Sequence, residues 1–404
     1  MTKAISSQAK AAKRLGFSEV PVVRLADMTE AEIRAYVIAD NKLAENAGWD
    51  RNLLALELQY LSDLGLDDLD ITGFELPEIE VLMSELTGAD SDGSADEVIE
   101  PTPGPAITRV GDVWRIGDHR LVCGDSARPE TYQVLLADKR AQMVFSDPPY
   151  NVPIAGHVSG LGKIQHREFA MGAGEMSNAE FTAFLTSVFL QLAAHSESGA
   201  IHFQCIDWRH IGEMLEAGQA AYTELKNICV WSKANAGMGS FYRSQHEFVC
   251  VFKSGDASHI NNIELGKFGR HRTNIWAYAG VNGFGNGRSD LELHPTVKPV
   301  ALVEDAIRDC SRRRGIVLDP FSGSGTTLVA TERAGRCGFG TELDPLYCDV
   351  SLRRLQSVCG LQAVLESTGQ RFEEVAAQRQ EERHLSTAAI VRHGQQRDIG
   401  FSAP

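Results

Sequence analysis

Apolar residues recur along this chain in two rhythms, and the change between them falls near Val110. Before it, Ala31 to Leu43, Leu53 to Leu64 and Glu78 to Leu86 carry apolar residues at helical spacing. That spacing predicts a small, mostly helical unit over residues 1–88. Thr29, with Glu32 three positions on, reads as a capping box opening its first helix. After Val110 come short apolar runs of strand length: Met143–Phe145, Ala200–Phe203, Ile228–Trp231, Phe248–Phe252, Ile316–Leu318 and Cys337–Thr341. Helical patterns at Asn178–Ala194, Arg209–Ala217, Val300–Cys310, Thr326–Ala334 and Pro345–Val358 separate several of them. Asp112 to Cys123 alternates around Gly117-Asp118 and predicts a hairpin. Strands alternating with helices predict an α/β sheet covered on both faces. The polar, proline-bearing stretch 89–107 reads as a linker, 108–362 as the sheet domain, and 363–404 as a polar tail without its own fold.

Composition narrows the class. The apolar share, 43%, supports a buried core, and no run approaches the roughly 20 apolar residues of a membrane helix. The start, Met1-Thr2-Lys3-Ala4, lacks the apolar core of a secretion signal. Eight cysteines are scattered without a CxxC pair, which fits reduced thiols in a cytoplasmic protein and argues against a zinc site or disulfide framework. The net charge of −15 is uneven: residues 1–100 hold 8 Lys+Arg against 21 Asp+Glu. The remainder is therefore nearly neutral and has room for the local basic face that phosphate contact requires.

Two motifs carry chemistry. Ile316-Val317-Leu318 runs into Asp319-Pro320-Phe321-Ser322-Gly323-Ser324-Gly325-Thr326-Thr327. A strand, a glycine turn that lets backbone approach a ligand, and a helix start together form a nucleotide-type cofactor loop. Glu342, 19 residues after Gly323 and beyond the next strand, is placed to accept hydrogen bonds from ribose hydroxyls. An oxidoreductase would share this logic, but its G-x-G-x-x-G/A fingerprint is broken at Leu328. The second motif, Asp147-Pro148-Pro149-Tyr150, closes the run Met143–Phe145. An exocyclic amine is a poor nucleophile because its lone pair is delocalised into the base. A carboxylate from Asp147 and a carbonyl from Pro148, both accepting its N–H bonds, favour a tetrahedral nitrogen and free that pair. Pro149 stiffens the turn. Tyr150 offers a stacking surface worth about 1–3 kcal/mol to a base that has left the duplex. No cysteine follows a proline, as the nucleophile of 5-methylcytosine chemistry would. Both motifs together point to direct methyl transfer from S-adenosylmethionine to an amino group of DNA.

These residues resemble the DNA amino-methyltransferases of N6-adenine and N4-cytosine type. DPPY precedes DPFSGSGTT, a permuted order similar to the β group. The resemblance implies a Rossmann-like S-adenosylmethionine-dependent methyltransferase fold with permuted motif order, preceded by a small, mostly helical α+β accessory region. His294-Pro295-Thr296-Val297-Lys298-Pro299 resembles the HPTxKP element. It implies that His294, Thr296 and Lys298 contact the methionine end of the cofactor. Gly124-Asp125-Ser126 resembles the upstream GD element and implies Asp125 near its adenine end. Asp319, Phe321, Ser322, Gly323, Gly325, Thr326 and Glu342 complete the implied cofactor set, with no metal. Trp231-Ser232-Lys233 and Arg243-Ser244-Gln245-His246-Glu247 resemble weaker family segments, and His246 and Glu247 read equally well as structural.

Aspartate at the head of the clamp favours adenine N6, since N4-cytosine members often carry serine there. Around Ala11–Gly16, Val20–Val22 and Asp40–Asn46 the chain is similar to the later part of a ParB-like domain, truncated at its start. Between 253 and 293, Lys267, Arg270 and Arg272 interleave with aromatics and read as the DNA-contacting, target-recognition part. The glycine-rich stretches Gly156–Gly174 and Gly280–Gly287 read as mobile, the first closing over the flipped base. The implied partner is double-stranded DNA, placing the protein at the nucleoid; a homodimer and a restriction endonuclease partner stay open. Three other readings compete: N4-cytosine transfer on the same scaffold, methylation of RNA or protein glutamine, and a non-enzymatic ParB-type DNA-binding protein. The third leaves DPPY and the glycine loop without a role.

Overall fold

The computed structural model describes residues 28–43, 49–66, 69–87, 96, 101, 104–152, 174–234, 236, 241–263, 265, 271–280 and 297–397. The chain divides into two units, residues 1–91 with 262–271, and residues 92–261 with 272–404.

In the first unit the described elements are helical: α1 (Glu30–Leu43), α2 (Arg51–Asp63), a 3-10 turn (Leu69–Thr72) and α3 (Leu76–Thr87). The Thr29–Glu32 box closes α1, with Glu32 N–H donating to Thr29 Oγ1 (3.3 Å) and Thr29 N–H to the Glu32 carboxylate (2.7 Å). Asp50 caps α2 by accepting from the Asn52 and Leu53 amides, both at 3.1 Å. Such caps contribute about 1 kcal/mol each. Leu54, Leu58 and Leu61, on one face of α2, pack with Ala35, Ile38, Phe74, Ile79 and Leu82. The ParB-like segments before residue 28, and residues 44–46, lie outside the described residues.

The second unit is built on one ten-stranded sheet: β1 (Val113–Ile116), β2 (His119–Cys123), β3 (Ala141–Ser146), β4 (Ser196–Ile206), β5 (Glu224–Ser232), β6 (His246–Ser254), β7 (Ile275–Ala277), β8 (Ile316–Asp319), β9 (Cys337–Glu342) and β10 (Ala363–Leu365). The strand order is β10-β1-β2-β9-β8-β3-β4-β6-β5-β7. The five from β2 to β4 are parallel, and β6 runs antiparallel to β4 and to β5. Strand alternation sorts the core into two layers. Met143 and Phe145 of β3 join a cluster with α7 (Val300–Cys310), α8 (Thr326–Arg333) and α9 (Pro345–Cys359). Val144 joins the opposite cluster with α4 (Pro129–Leu136), α5 (Asn178–Ala194) and α6 (Ile211–Ala221). Helices thus cover both faces, as the periodicity predicts. The predicted hairpin at 112–123 is the β1–β2 pair.

Two boundaries differ from expectation. The polar region after residue 362 is not a featureless tail: β10 pairs with β1, and α10 (Phe372–Arg397) follows. Phe372 and Val375 are buried, and Phe372 lies 5.4 Å from Trp114. Arg379 pairs with Asp112. A few spaced apolar residues dock on the sheet edge while Glu373, Glu374, Gln378 and Gln380 between and after them are exposed, so average polarity hid them. The predicted linker also ends inside the sheet unit. The Ile107 and Thr108 amides donate to Asp349 at 2.6 and 2.9 Å, and Arg379 donates to the Ile107 carbonyl at 2.7 Å.

Candidate active site at the switch point of the sheet

The connection from β3 runs through α5 to β4 on one side, while β8 connects through α8 to β9 on the other. Adjacent parallel strands whose crossovers leave in opposite directions open a crevice beyond their carboxyl ends, where α/β sheets take ligands. Both sequence motifs sit there. Asp147 follows β3 directly and Asp319 is the last residue of β8, with Val144 and Leu318 in register behind them.

At the β3 end, side chains hold one another. Asp147 Oδ1 accepts from the Tyr150 hydroxyl (2.8 Å) and from Lys298 Nζ (2.7 Å). Lys298, at the mouth of α7, is 4% exposed and also reaches Glu247 Oε2 at 3.0 Å. Glu247 Oε2 lies 3.0 Å from the Tyr150 hydroxyl as the alternative acceptor for its one hydrogen, and Glu247 pairs with Lys233. Burial works to raise Glu247, but Lys298 and Lys233 overrule it and pull the carboxyl down to about 2. Burial also works against the charge on Lys298, yet Asp147 and Glu247 hold its pKa above the ordinary lysine value. Burial raises Asp147, with Lys298 opposing and Glu247 reinforcing. Asp147 Oδ2 accepts no hydrogen bond from the described residues, and the side chain keeps 30% of its surface exposed. The clamp thus has one oxygen anchored and one free to accept from an amine. Next in the chain, Asn151 takes a left-handed backbone (φ 53°) that asparagine tolerates. Its side-chain amide donates to the Met176 carbonyl at 2.8 Å and accepts the Met176 amide at 3.2 Å.

At the β8 end, side chains mostly hold main-chain groups of the loop. Asp319 Oδ1 accepts the Phe321 amide (2.9 Å), and the Thr327 hydroxyl also bonds this carboxylate. Glu342, closing β9, accepts the Gly323 amide (2.8 Å) on one oxygen and the Asp344 amide (2.8 Å) on the other. The Ser322 amide donates to the Thr341 carbonyl (2.9 Å), and the Ser351 hydroxyl to the Gly323 carbonyl (2.7 Å). Gly325 has φ 81°, and a Cβ there would lie 3.0 Å from Ser351 Oγ. From behind, buried Arg354 donates to Thr326 Oγ1 (2.9 Å) and to the Ser324 carbonyl (3.2 Å). Burial pushes Asp319 and Glu342 up to about 7 each, opposed at Asp319 by Thr327 and Phe321 and at Glu342 by the Asp344 and Gly323 amides. Asp125 stands beside them: the Gly124 amide donates to the Glu342 carbonyl (2.9 Å), and Asp125 Oδ1 accepts the Ala127 amide (2.9 Å).

The structure therefore gathers Asp147, Pro148, Pro149, Tyr150, Lys298, Asp319, Phe321, Ser322, Gly323, Gly325, Thr326, Glu342 and Asp125 at one edge of the parallel strands. Lys298, implied as a contact for the methionine end of the cofactor, is bonded to Asp147, Tyr150 and Glu247 of the clamp. Arg272, read as a DNA contact, is held by Asp309 (3.0 Å), Asp305 (3.0 Å) and the Tyr278 hydroxyl (2.7 Å) against the Trp276 ring, so its charge is spent inside the protein. His294, Thr296, Lys267 and Arg270 lie outside the described residues, as do most of both glycine-rich stretches. Sequence reasoning underweighted Glu247 and Lys233 and passed over Asn151. The adjoining Trp-Ser-Lys and His-Glu segments were the available signal.

The family model described as DNA methylase matches residues 141–353, from the first residue of β3 into α9. The chain belongs to this DNA methylase family. Its matched stretch holds both the clamp and the glycine loop. A ParB-methyltransferase HTH domain matches residues 52–110, beginning in α2 and running past the predicted end of the helical unit at 88. Among relatives, Type II methyltransferase M.HpaI of Haemophilus parainfluenzae is 35% identical over 259 residues, covering 59% of this chain and 75% of that protein. Type II methyltransferase M.ScaI of Streptomyces caespitosus is 36% identical over 97 residues, 24% of this chain, and that match spans only 32% of the relative's length. A solved M1.HpyAVI–SAM complex is 18% identical, covers 58% of this chain and 98% of that one, and has a TM-score of 0.42.

Proposed function

We propose that this methylase transfers the methyl group of S-adenosylmethionine to the exocyclic N6 amine of a flipped adenine in duplex DNA. The observation that carries the reading is the free oxygen of Asp147, across the switch point from the glycine loop. The residues at that loop suit the cofactor. A Cβ on Gly323 would meet nothing closer than 3.9 Å, so that face of the loop is open. Glu342 and Asp125 stand at neighbouring strand ends as acceptors for hydroxyl and amino groups. When bound, the cofactor supplies a methyl group on a cationic sulfur.

The protein's own residues do the rest. Asp147 Oδ2 accepts an N–H of the target amine and draws its lone pair out of conjugation. Tyr150, its hydroxyl tied to Asp147 and Glu247, presents a fixed ring for the base to stack on. Aspartate at the head of the clamp supports adenine over cytosine. The helical unit, with its match to an HTH domain, adds a separate DNA contact, and a DNA substrate places the protein at the nucleoid.

Labelled-methyl transfer to unmethylated genomic DNA, followed by nucleoside mass spectrometry, tests this directly. N6-methyladenine is expected. N4-methylcytosine would keep the chemistry and overturn the base, and no methylated nucleoside would sink the reading. Asp147→Ala should abolish transfer while S-adenosylmethionine still binds in calorimetry.

A further inference from the structure

The clamp carries more charge than gripping an amine requires. Glu247 on β6 stands opposite Trp231 of β5, and the two lysines that meet it come from different parts of the chain. Lys233 follows β5, with Nζ 4.6 Å from the Trp231 ring centre. Lys298 precedes α7, with Nζ 5.8 Å from the same ring. Asp147 and Glu247 therefore supply two negative charges and Lys233 and Lys298 two positive ones, and the cluster is neutral as a whole. Lys298 makes the clamp work as geometry, because it fixes Asp147 Oδ1 and the Tyr150 hydroxyl (3.0 Å). It is nonetheless the wrong charge for the chemistry. In methyl transfer to an amine, the N–C bond forms as the S–C bond breaks and the sulfur keeps the bonding pair. Positive charge passes from sulfur to nitrogen until the nitrogen sheds a proton to solvent, which reaches the clamp at the 30% exposed Asp147 side chain. An uncompensated ammonium beside Asp147 would oppose that charge throughout, and Lys298, at 4% exposure, is poorly screened by solvent.

We propose that Glu247 is a positioning residue of the clamp whose charge cancels the lysines, so that the site accepts a cationic methyl donor and the positive charge it passes to the amine while Lys298 keeps its grip on Asp147. This rests on the methyltransferase reading above and adds a residue and a role to it. Glu247 acts through Lys298 and Tyr150 and needs no contact with either reactant.

The test compares two ligands that differ in charge at one atom, S-adenosylmethionine and its neutral thioether product S-adenosylhomocysteine, by calorimetry on the full chain. Glu247→Gln leaves the cluster with a surplus positive charge. It should weaken the cationic ligand relative to the neutral one by about tenfold, the change expected for roughly 1.4 kcal/mol of differential repulsion. Lys233→Met, at a side chain 24% exposed and so tolerant of change, should move the ratio the opposite way. The double variant Glu247→Gln/Lys233→Met restores neutrality and should return the ratio to within about threefold of wild type. A merely structural Glu247 would lower both affinities together and gain nothing from losing Lys233. A ratio that stays put in both single variants, or moves the same way in both, overturns the proposal. Wild-type protein that binds neither ligand would sink the methyltransferase reading and this inference with it. Wild-type protein that methylates DNA while the ratio ignores Glu247 would sink this inference alone.

Discussion

The ends of β3 and β8 lie side by side and are built in opposite ways. At β8 the main chain of the glycine loop is held mostly by side chains: the Gly323 and Phe321 amides donate to the Glu342 and Asp319 carboxylates, the Ser322 amide to the Thr341 carbonyl, and the Ser351 hydroxyl to the Gly323 carbonyl. At β3 the clamp is held by charged side chains, and Lys298 and Glu247 lie 151 and 97 residues along the chain from the groups they bind. Main-chain donors suit a site that must recognise a fixed ligand, because they cannot swing away, while their acceptors Asp319 and Glu342 make this end sensitive to pH. Side-chain charge suits a site that must respond to charge moving during the reaction.

The comparison breaks most sharply at Lys298. Removing one member of a buried ionic cluster leaves its partners uncompensated, typically at a cost of about 3–5 kcal/mol. Lys298→Met should lose that order of stability in chemical denaturation, and transfer should fall by at least about a hundredfold, two or more units of about 1.4 kcal/mol in the barrier. Unchanged stability would mean that the clamp does not depend on Lys298.

Gly325→Ala tests the other end. A side chain at φ 81°, with its Cβ 3.0 Å from Ser351 Oγ, strains the loop. The expected cost is about 1–3 kcal/mol, and cofactor affinity should fall about tenfold in calorimetry while the clamp is untouched. Equal affinity would mean that the loop tolerates rearrangement.

The smallest effect concerns pH. Burial raises Asp319 and Glu342 to about 7, so their neutral forms are favoured when folded. A raised carboxyl pKa contributes stability that is complete below the ordinary carboxylate value and is lost as pH climbs through the folded value. The melting temperature of the ligand-free protein should therefore fall between about pH 4 and 7. Glu342→Gln should flatten part of that fall, and a parallel curve would mean that Glu342 already ionises freely.

Short-range pattern by itself determined much of this protein. Strand-then-glycine-then-helix at 316–327, the acid at Glu342 and the turn after Met143–Phe145 are local statements, because each element's backbone bonding and burial repeat within a few residues. The helices at 178–194 and 300–310, the β1–β2 hairpin and the two-faced sheet were legible for the same reason. Only the tertiary structure decided which charges meet. Lys298 meets both Asp147 and Glu247, and Lys233 meets Glu247, because β5 and β6 pair beside β4 and α7 packs near β3. Sheet order of that kind has no signature in local hydrophobicity. Arg272 was misread because exposure, unlike charge, cannot be counted along a sequence: Asp305 and Asp309 on α7 enclose it. The stretch after residue 362 was misread because Phe372 and Val375 are too sparse to form a pattern until Trp114 supplies the surface they cover.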